Sequence, residues 1–216
     1  MWLDAEGSQS GMFEALLTSD EHVRRLRYRN SRDAARFVAR RALLRIGLGK
    51  LLDVAPERLR FSHGPDGKPM LSEPRFARAL KFNLAHSDGL AVFACSFGHE
   101  LGIDVERVKH HDDLLDVAAV CFSPAERSTL MALPDSERTG AFYRCWTGKE
   151  AYVKAVGSGL TERLTDFDVR FDGGGPPALL RVGWRPSEAD RWRLDFLQLP
   201  PGYAGTIAID TDGCSE

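Results

Sequence analysis

Apolar and polar positions along the chain fall into one pattern that is played twice. A helical pattern runs from about Ser31 to Leu52, with Ser31 placed to cap it. A strand at Leu59–Phe61 follows, then a turn at His63-Gly64-Pro65-Asp66-Gly67-Lys68-Pro69, then strands at Phe82–His86 and Leu90–Cys95. In the second half a helix from Asp135 to Val156 carries Phe142, Trp146, Ala151, Tyr152, Val153 and Val156 at mixed three- and four-residue steps, as a largely buried helix does. Asp135 is placed to cap it, and Gly157 and Gly159 to end it. A strand at Phe167–Phe171, a turn at Asp172–Pro177 and strands at Trp192–Leu197 and Tyr203–Ile209 complete the second set. The repeat predicts an α+β fold of two pseudo-equivalent halves, each a long helix packed on an antiparallel sheet of about three strands. The halves are divided at residues 1–103 and 104–216, with a site expected at their junction.

The handover carries the first candidate chemistry. In Leu101-Gly102-Ile103-Asp104-Val105-Glu106, alternate side chains of a strand share a face, so Asp104 and Glu106 project together while Ile103 and Val105 point into the core. Two neighbouring carboxylates repel, more so when buried. A divalent cation bound by oxygen ligands relieves this; a solvated strand edge is the plain alternative. The second candidate is Trp146-Thr147-Gly148-Lys149-Glu150-Ala151-Tyr152-Val153-Lys154. Glu150 and Lys154 stand four residues apart on one helix face, with Lys149 about 100° round. An ordinary surface ion pair reads the same way. Between the two lies Ser123-Pro124-Ala125-Glu126, a capping box for a short helix.

Composition narrows the classes. The chain has 216 residues, 43% hydrophobic and 28% charged, which suits a globular core of one or two domains. A net charge of −2 gives no global attraction to nucleic acid. Locally, residues 22–50 hold Arg24, Arg25, Arg27, Arg29, Arg32, Arg36, Arg40, Arg41, Arg45 and Lys50, either an anion-binding surface or a solvated face. Cys95, Cys121, Cys145 and Cys214 show no paired spacing and read as thiols of a reducing cytoplasm. No signal peptide or membrane-length apolar run is evident.

His86, beside the Ser87-Asp88-Gly89 turn, could meet a phosphate or be a structural histidine, and Lys68 could present a cation or simply tip a hairpin. His63, His110 and His111 read as loop residues, and no His/Cys set has zinc spacing. The phosphate-binding P-loop, the dinucleotide-binding glycine fingerprint and the serine-hydrolase elbow are all missing from the sequence.

The ordered set Gly67-Lys68-Pro69, Phe82-Asn83-Leu84-Ala85-His86-Ser87, Gly102-Ile103-Asp104-Val105-Glu106, Phe122-Ser123-x-x-Glu126 and Trp146-x-x-Lys149-Glu150-Ala151-x-x-Lys154 resembles the 4′-phosphopantetheinyl transferases. It is similar to the long, pseudo-dimeric type that activates surfactin-like synthetases, over roughly residues 20–210. The resemblance implies transfer of the phosphopantetheine arm of coenzyme A to a serine of an acyl or peptidyl carrier protein, with release of adenosine 3′,5′-bisphosphate. It implies Mg²⁺, with Mn²⁺ an alternative, on Asp104, Glu106 and Glu150. Glu150, or a water it orients, takes the serine proton, and Lys154 reaches the phosphoryl oxygens. Coenzyme A contacts are implied for Arg36, Arg40, Lys68, His86, Lys149 and Lys154, which puts the nucleotide on the first half and the catalytic helix on the second. Ala85 stands where the family commonly has Ser, removing one hydroxyl contact to coenzyme A. The carrier is expected near residues 108–130, with Phe122, Leu130 and Met131 either as its apolar contacts or as core residues of the second half. A cytoplasmic monomer without nucleic-acid or membrane partners is the expected form. A metal-dependent phosphoester or pyrophosphate hydrolase and a non-catalytic coenzyme A- or carrier-binding protein remain the competing readings.

Overall fold

The computed structural model describes residue 3 and residues 9–64, 67–157 and 164–212. Gly159, Cys214 and the turn residues Pro65 and Asp66 lie outside these.

The first half has two short helices before its long one, α1 (Gln9–Ala15) and α2 (Ser19–Arg25), the second started by a Thr18/Glu21 capping box. Neither stood out in the sequence. The long helix α3 (Ser31–Leu52) is capped by Asn30, one residue before the expected Ser31: the Asn30 side-chain oxygen accepts from the Arg32 N–H. Asp53, in the left-handed conformation, ends it. Two hairpins follow, β1 (Arg60–His63) with β2 (Pro69–Glu73), and β3 (Leu80–Ser87) with β4 (Leu90–Phe97). The second turns on Asp88-Gly89, Asp88 having a positive φ of 47°, as a two-residue hairpin turn demands.

Strand β5 (Leu101–Arg107) leads into the second half, followed by α4 (Leu114–Cys121), α5 (Pro124–Ala132) and α6 (Asp135–Val156). The expected Ser123/Glu126 capping box on α5 is present in both directions. Helix α6 spans the expected residues, but Pro134 rather than Asp135 is its N-cap; Gly157 closes it with φ 69°. Then come β6 (Phe167–Arg170), β7 (Ala178–Val182), α7 (Glu188–Arg191), β8 (Trp192–Phe196) and β9 (Tyr203–Asp210). The second half forms one antiparallel sheet in the order β5-β9-β8-β7-β6.

Each half is therefore a 22-residue helix followed by four strands. The sequence reading missed one strand per half, β2 and β7, at equivalent places. Chemistry is positioned by the packing of β5 on α6. Gly102 lets the two backbones touch: a Cβ there would sit 2.2 Å from both the Ala151 carbonyl oxygen and the Ala155 nitrogen. Ile103 and Val105 point the other way, into a cluster with Ala85 and Leu90. Around α6, Tyr152, Phe142, Phe167, Trp192 and Phe122 make the largest apolar core.

Candidate active site

Alternation along β5 turns Asp104 and Glu106 to the side of Gly102, toward α6, where Glu150 and Lys154 share a face. The Lys154 ammonium lies 2.5 Å from Asp104 Oδ1. Asp104 is 4% exposed, so this is no solvated strand edge. Burial pushes its carboxyl up, Lys154 opposes this, and repulsion from Glu106 and Glu150 adds to it, giving a pKa of about 7. Burial likewise raises Glu150, against Lys154 and with Glu106. Glu106 and Glu150 thus both act on Asp104, and Glu106 acts on Glu150.

Among the described residues, no group of three His, Cys, Asp or Glu side chains stands as a ready metal cage. The donor set nonetheless fits a hard divalent cation. All the donors are carboxylate oxygens, and Asp104 Oδ2 is buried without any hydrogen-bond partner, an oxygen that a cation would satisfy.

On the first-half side His86 reaches the same region from the end of β3. Partial burial of its ring and the charges of Arg40, Lys154 and Arg36, in that order, pull its pKa down to about 4. Arg36 and Arg40 are one turn apart on α3. Three cations thus act electrostatically on a histidine that keeps solvent access, the electrostatic form of an anion site. The arginine-rich segment is divided by the helix. Arg41 and Arg45, on the opposite side of α3, pair with Glu21, and Arg45 donates to the Leu59 carbonyl at 2.7 Å.

One expected coenzyme A contact, Lys149, is corrected, and another, Lys68, is engaged in the seam between the halves. Lys149 is fully buried; its ammonium donates to both oxygens of Glu126, at 2.8 and 2.7 Å, and to the Phe167 carbonyl at 2.6 Å. The 100° step from Glu150 carries it into the core rather than into the site. Lys68 donates to Glu100 Oε2 at 2.9 Å and to the carbonyls of Leu101 and Ala155 at 3.1 and 3.0 Å. Its three N–H donors are used; it ties the hairpin of the first half to the C-terminal turn of α6. For two of the possible carrier contacts the alternative core reading holds. Phe122 and Leu130 are each 1% exposed and belong to the core; Met131 is exposed.

The sequence reading missed a slot of about 250 Å³ beside Glu106, lined by Leu114, Val117, Phe142, Tyr143 and Trp146, with His111 and Asp113 at its rim. Helix α4, which forms one wall, also leaves Leu115, Val117 and Val120 exposed, Val120 by 75%. The signal was the nearly uninterrupted apolar run Leu114–Val120, broken only by Asp116.

Two family models tile the chain. A model of the 4′-phosphopantetheinyl transferase superfamily matches residues 100–208, and one of the N-terminal part of a 4′-phosphopantetheinyl transferase matches residues 4–98. The chain belongs to the 4′-phosphopantetheinyl transferase superfamily. Relatives include the 4′-phosphopantetheinyl transferase HetI of a Nostoc species, 40% identical over 98% of this chain and 85% of that one. The 4′-phosphopantetheinyl transferase Sfp of Bacillus subtilis is 30% identical over 88% of this chain and 81% of its own length. The junction of β5 and α6, where acidic residues and Lys154 meet, lies within the residues 100–208 matched by the superfamily model. Among the described residues no helix is long and apolar enough to cross a membrane.

Proposed function

We propose that this transferase moves the phosphopantetheine arm of coenzyme A onto a carrier-protein serine at the β5–α6 junction, with Mg²⁺, releasing adenosine 3′,5′-bisphosphate. The observation that carries the reading is the buried, partnerless Asp104 Oδ2 among three mutually repelling carboxylates, facing a cluster of cations around His86. A pyrophosphate with its cation would bring positive charge to the carboxylates and negative charge to the cations.

Asp104, Glu106 and Glu150 would hold the cation; when bound, it neutralises the pyrophosphate and the negative charge growing on the leaving phosphate. Burial raises the proton affinity of Glu150, the direction a proton-accepting carboxylate needs. In this scheme the serine oxygen attacks the phosphorus that bears the pantetheine. The bond from that phosphorus to the bridging oxygen breaks, the 3′,5′-bisphosphate leaves with the electron pair, and Glu150 receives the serine proton. Lys154, about one-third exposed, holds its ammonium where phosphoryl oxygens can meet it. Arg36, Arg40 and His86 face the 3′-phosphate end, where planar guanidinium groups bind two oxygens at once. The division at 103/104 then separates a nucleotide half from a half carrying the catalytic helix. The apolar slot beside Glu106 suits the pantetheine chain, and the exposed apolar face of α4 with Met131 suits a carrier helix.

Chromatography of coenzyme A products tests the reaction class. Adenosine 3′,5′-bisphosphate should form only when an apo carrier protein is present. Its release without a carrier would favour the hydrolase, and coenzyme A binding without turnover on any carrier would favour the binding protein.

A further inference from the structure

The seam between the halves is made by side chains where a sheet ladder would be expected. Strand β3 packs along β5, yet the two belong to different sheets. Asn83 Oδ1 accepts from the Ile103 N–H at 3.0 Å, and Ser87 Oγ accepts from the Arg107 N–H at 3.0 Å. Both spacings are four residues and run in the same sense, so two side-chain rungs replace the backbone rungs of a parallel pair. Asp104 and Glu106 lie on β5 between the rungs, and His86 precedes the second one.

The second rung does more than pair. A serine hydroxyl has one proton. Because Ser87 Oγ accepts from Arg107, that proton is free to be donated, and it goes to Glu106 Oε2 at 2.6 Å, the short distance of a charge-assisted bond. Glu106 has three rotatable side-chain bonds and is only half-buried, so its direction must be imposed from outside. The hydroxyl fixes it against a backbone N–H that is itself locked in the β5 strand.

We propose that Ser87 is a positioning residue of the first half for a cation ligand of the second: it orients Glu106 and so sets the affinity of the site for the divalent ion. This rests on the reading of Asp104, Glu106 and Glu150 as the cation's ligands. Partners of this kind commonly change metal affinity by about 10- to 100-fold when removed.

The test is Mn²⁺ binding to the full chain saturated with coenzyme A, with free Mn²⁺ counted by electron paramagnetic resonance. Coenzyme A affinity without metal is measured in parallel. Ser87→Ala should weaken Mn²⁺ about 10-fold or more while leaving metal-free coenzyme A affinity unchanged. Ser87→Thr, which keeps the hydroxyl, should restore Mn²⁺ binding. The Mg²⁺ dependence of transfer should shift to higher concentration in Ser87→Ala, with the rate at saturating Mg²⁺ largely retained. Parental Mn²⁺ affinity in Ser87→Ala overturns the proposal, as does an equal loss of metal and coenzyme A binding, which would make Ser87 a general seam residue. If the parent protein itself binds no Mn²⁺, the cation reading fails, and parent and variant alike show none.

Discussion

Replacing Lys149 by Met separates a core ion pair from a substrate contact. The Lys149 and Glu126 side chains are 1% and 2% exposed, so the surrounding water screens the pair very little. Glu126 accepts two bonds from Lys149 and one each from the Ser123 and Val169 N–H groups, at 2.9 and 2.8 Å. It thereby joins the start of α5, the middle of α6 and the edge strand β6. Met fills most of the lysine volume, which limits any cavity, but it leaves a buried carboxylate with two N–H donors and no counter-charge. Breaking a buried pair from one side costs about 3–5 kcal/mol. Burial already raises the Glu126 pKa, so the variant can escape part of this by protonating, which puts the expected loss near 3 kcal/mol. At about 2–4 °C per kcal/mol for a chain of this size, Tm should fall by roughly 6–12 °C. Urea denaturation at pH 7 gives the free energy directly. Adding Glu126→Gln should return part of the loss by removing the stranded charge. The KM for coenzyme A, measured on folded protein, should stay near the parental value. Stability within about 1 kcal/mol of the parent, joined to a tenfold rise in that KM, would refute the core assignment and return Lys149 to the substrate.

Other perturbations probe the remaining elements. His86 should titrate near pH 4 by NMR in the free protein, and its pKa should rise when adenosine 3′,5′-bisphosphate binds, because an anion offsets the charges of Arg40, Lys154 and Arg36. The sign for stability follows: the folded pKa lies below the unfolded one, so the contribution of His86 is complete above about pH 6.5 and is lost as pH falls toward 4. His86→Gln should flatten that part of the stability profile. Gly102→Ala should destabilise by about 3 kcal/mol or more in urea titration, because the new methyl meets the backbone of α6, which cannot rotate away. Lys68→Met should lower stability, with a smaller effect on coenzyme A affinity, since its ammonium ties together three oxygens of the seam.

Much of this architecture is legible in the sequence because long helices and alternating strands carry their periods with them. Both 22-residue helices, the capping box on α5 and the alternating strand at Asp104 follow from such local rules. Strands β2 and β7 are less visible for local reasons. One starts at Pro69, which reads as the end of a turn, and the other is Ala-Leu-Leu-Arg-Val, whose Ala and Leu residues favour a helix. Their strand state is imposed by hairpin partners β1 and β6. Within the site, the acidic residues and Lys154 come together because they lie on two adjoining elements of regular period. Lys149 shows where sequence adjacency misleads: one residue from Glu150, it faces the opposite environment, and its partner Glu126 is a cap of another helix. Lys68 misleads differently, because a lysine in a turn looks free until the fold brings the end of α6 to it. Ser87 has no local signal at all, since its role depends on a strand from the other half.

The central claim is best tested by intact-mass spectrometry of an apo carrier protein incubated with coenzyme A, Mg²⁺ and either the parent enzyme or its Glu150→Gln variant. The account predicts that the carrier gains one phosphopantetheine with the parent, that EDTA abolishes the gain, and that Glu150→Gln slows it at least about 100-fold while remaining folded. Equal modification by the parent and the variant, or full modification in EDTA, would contradict it.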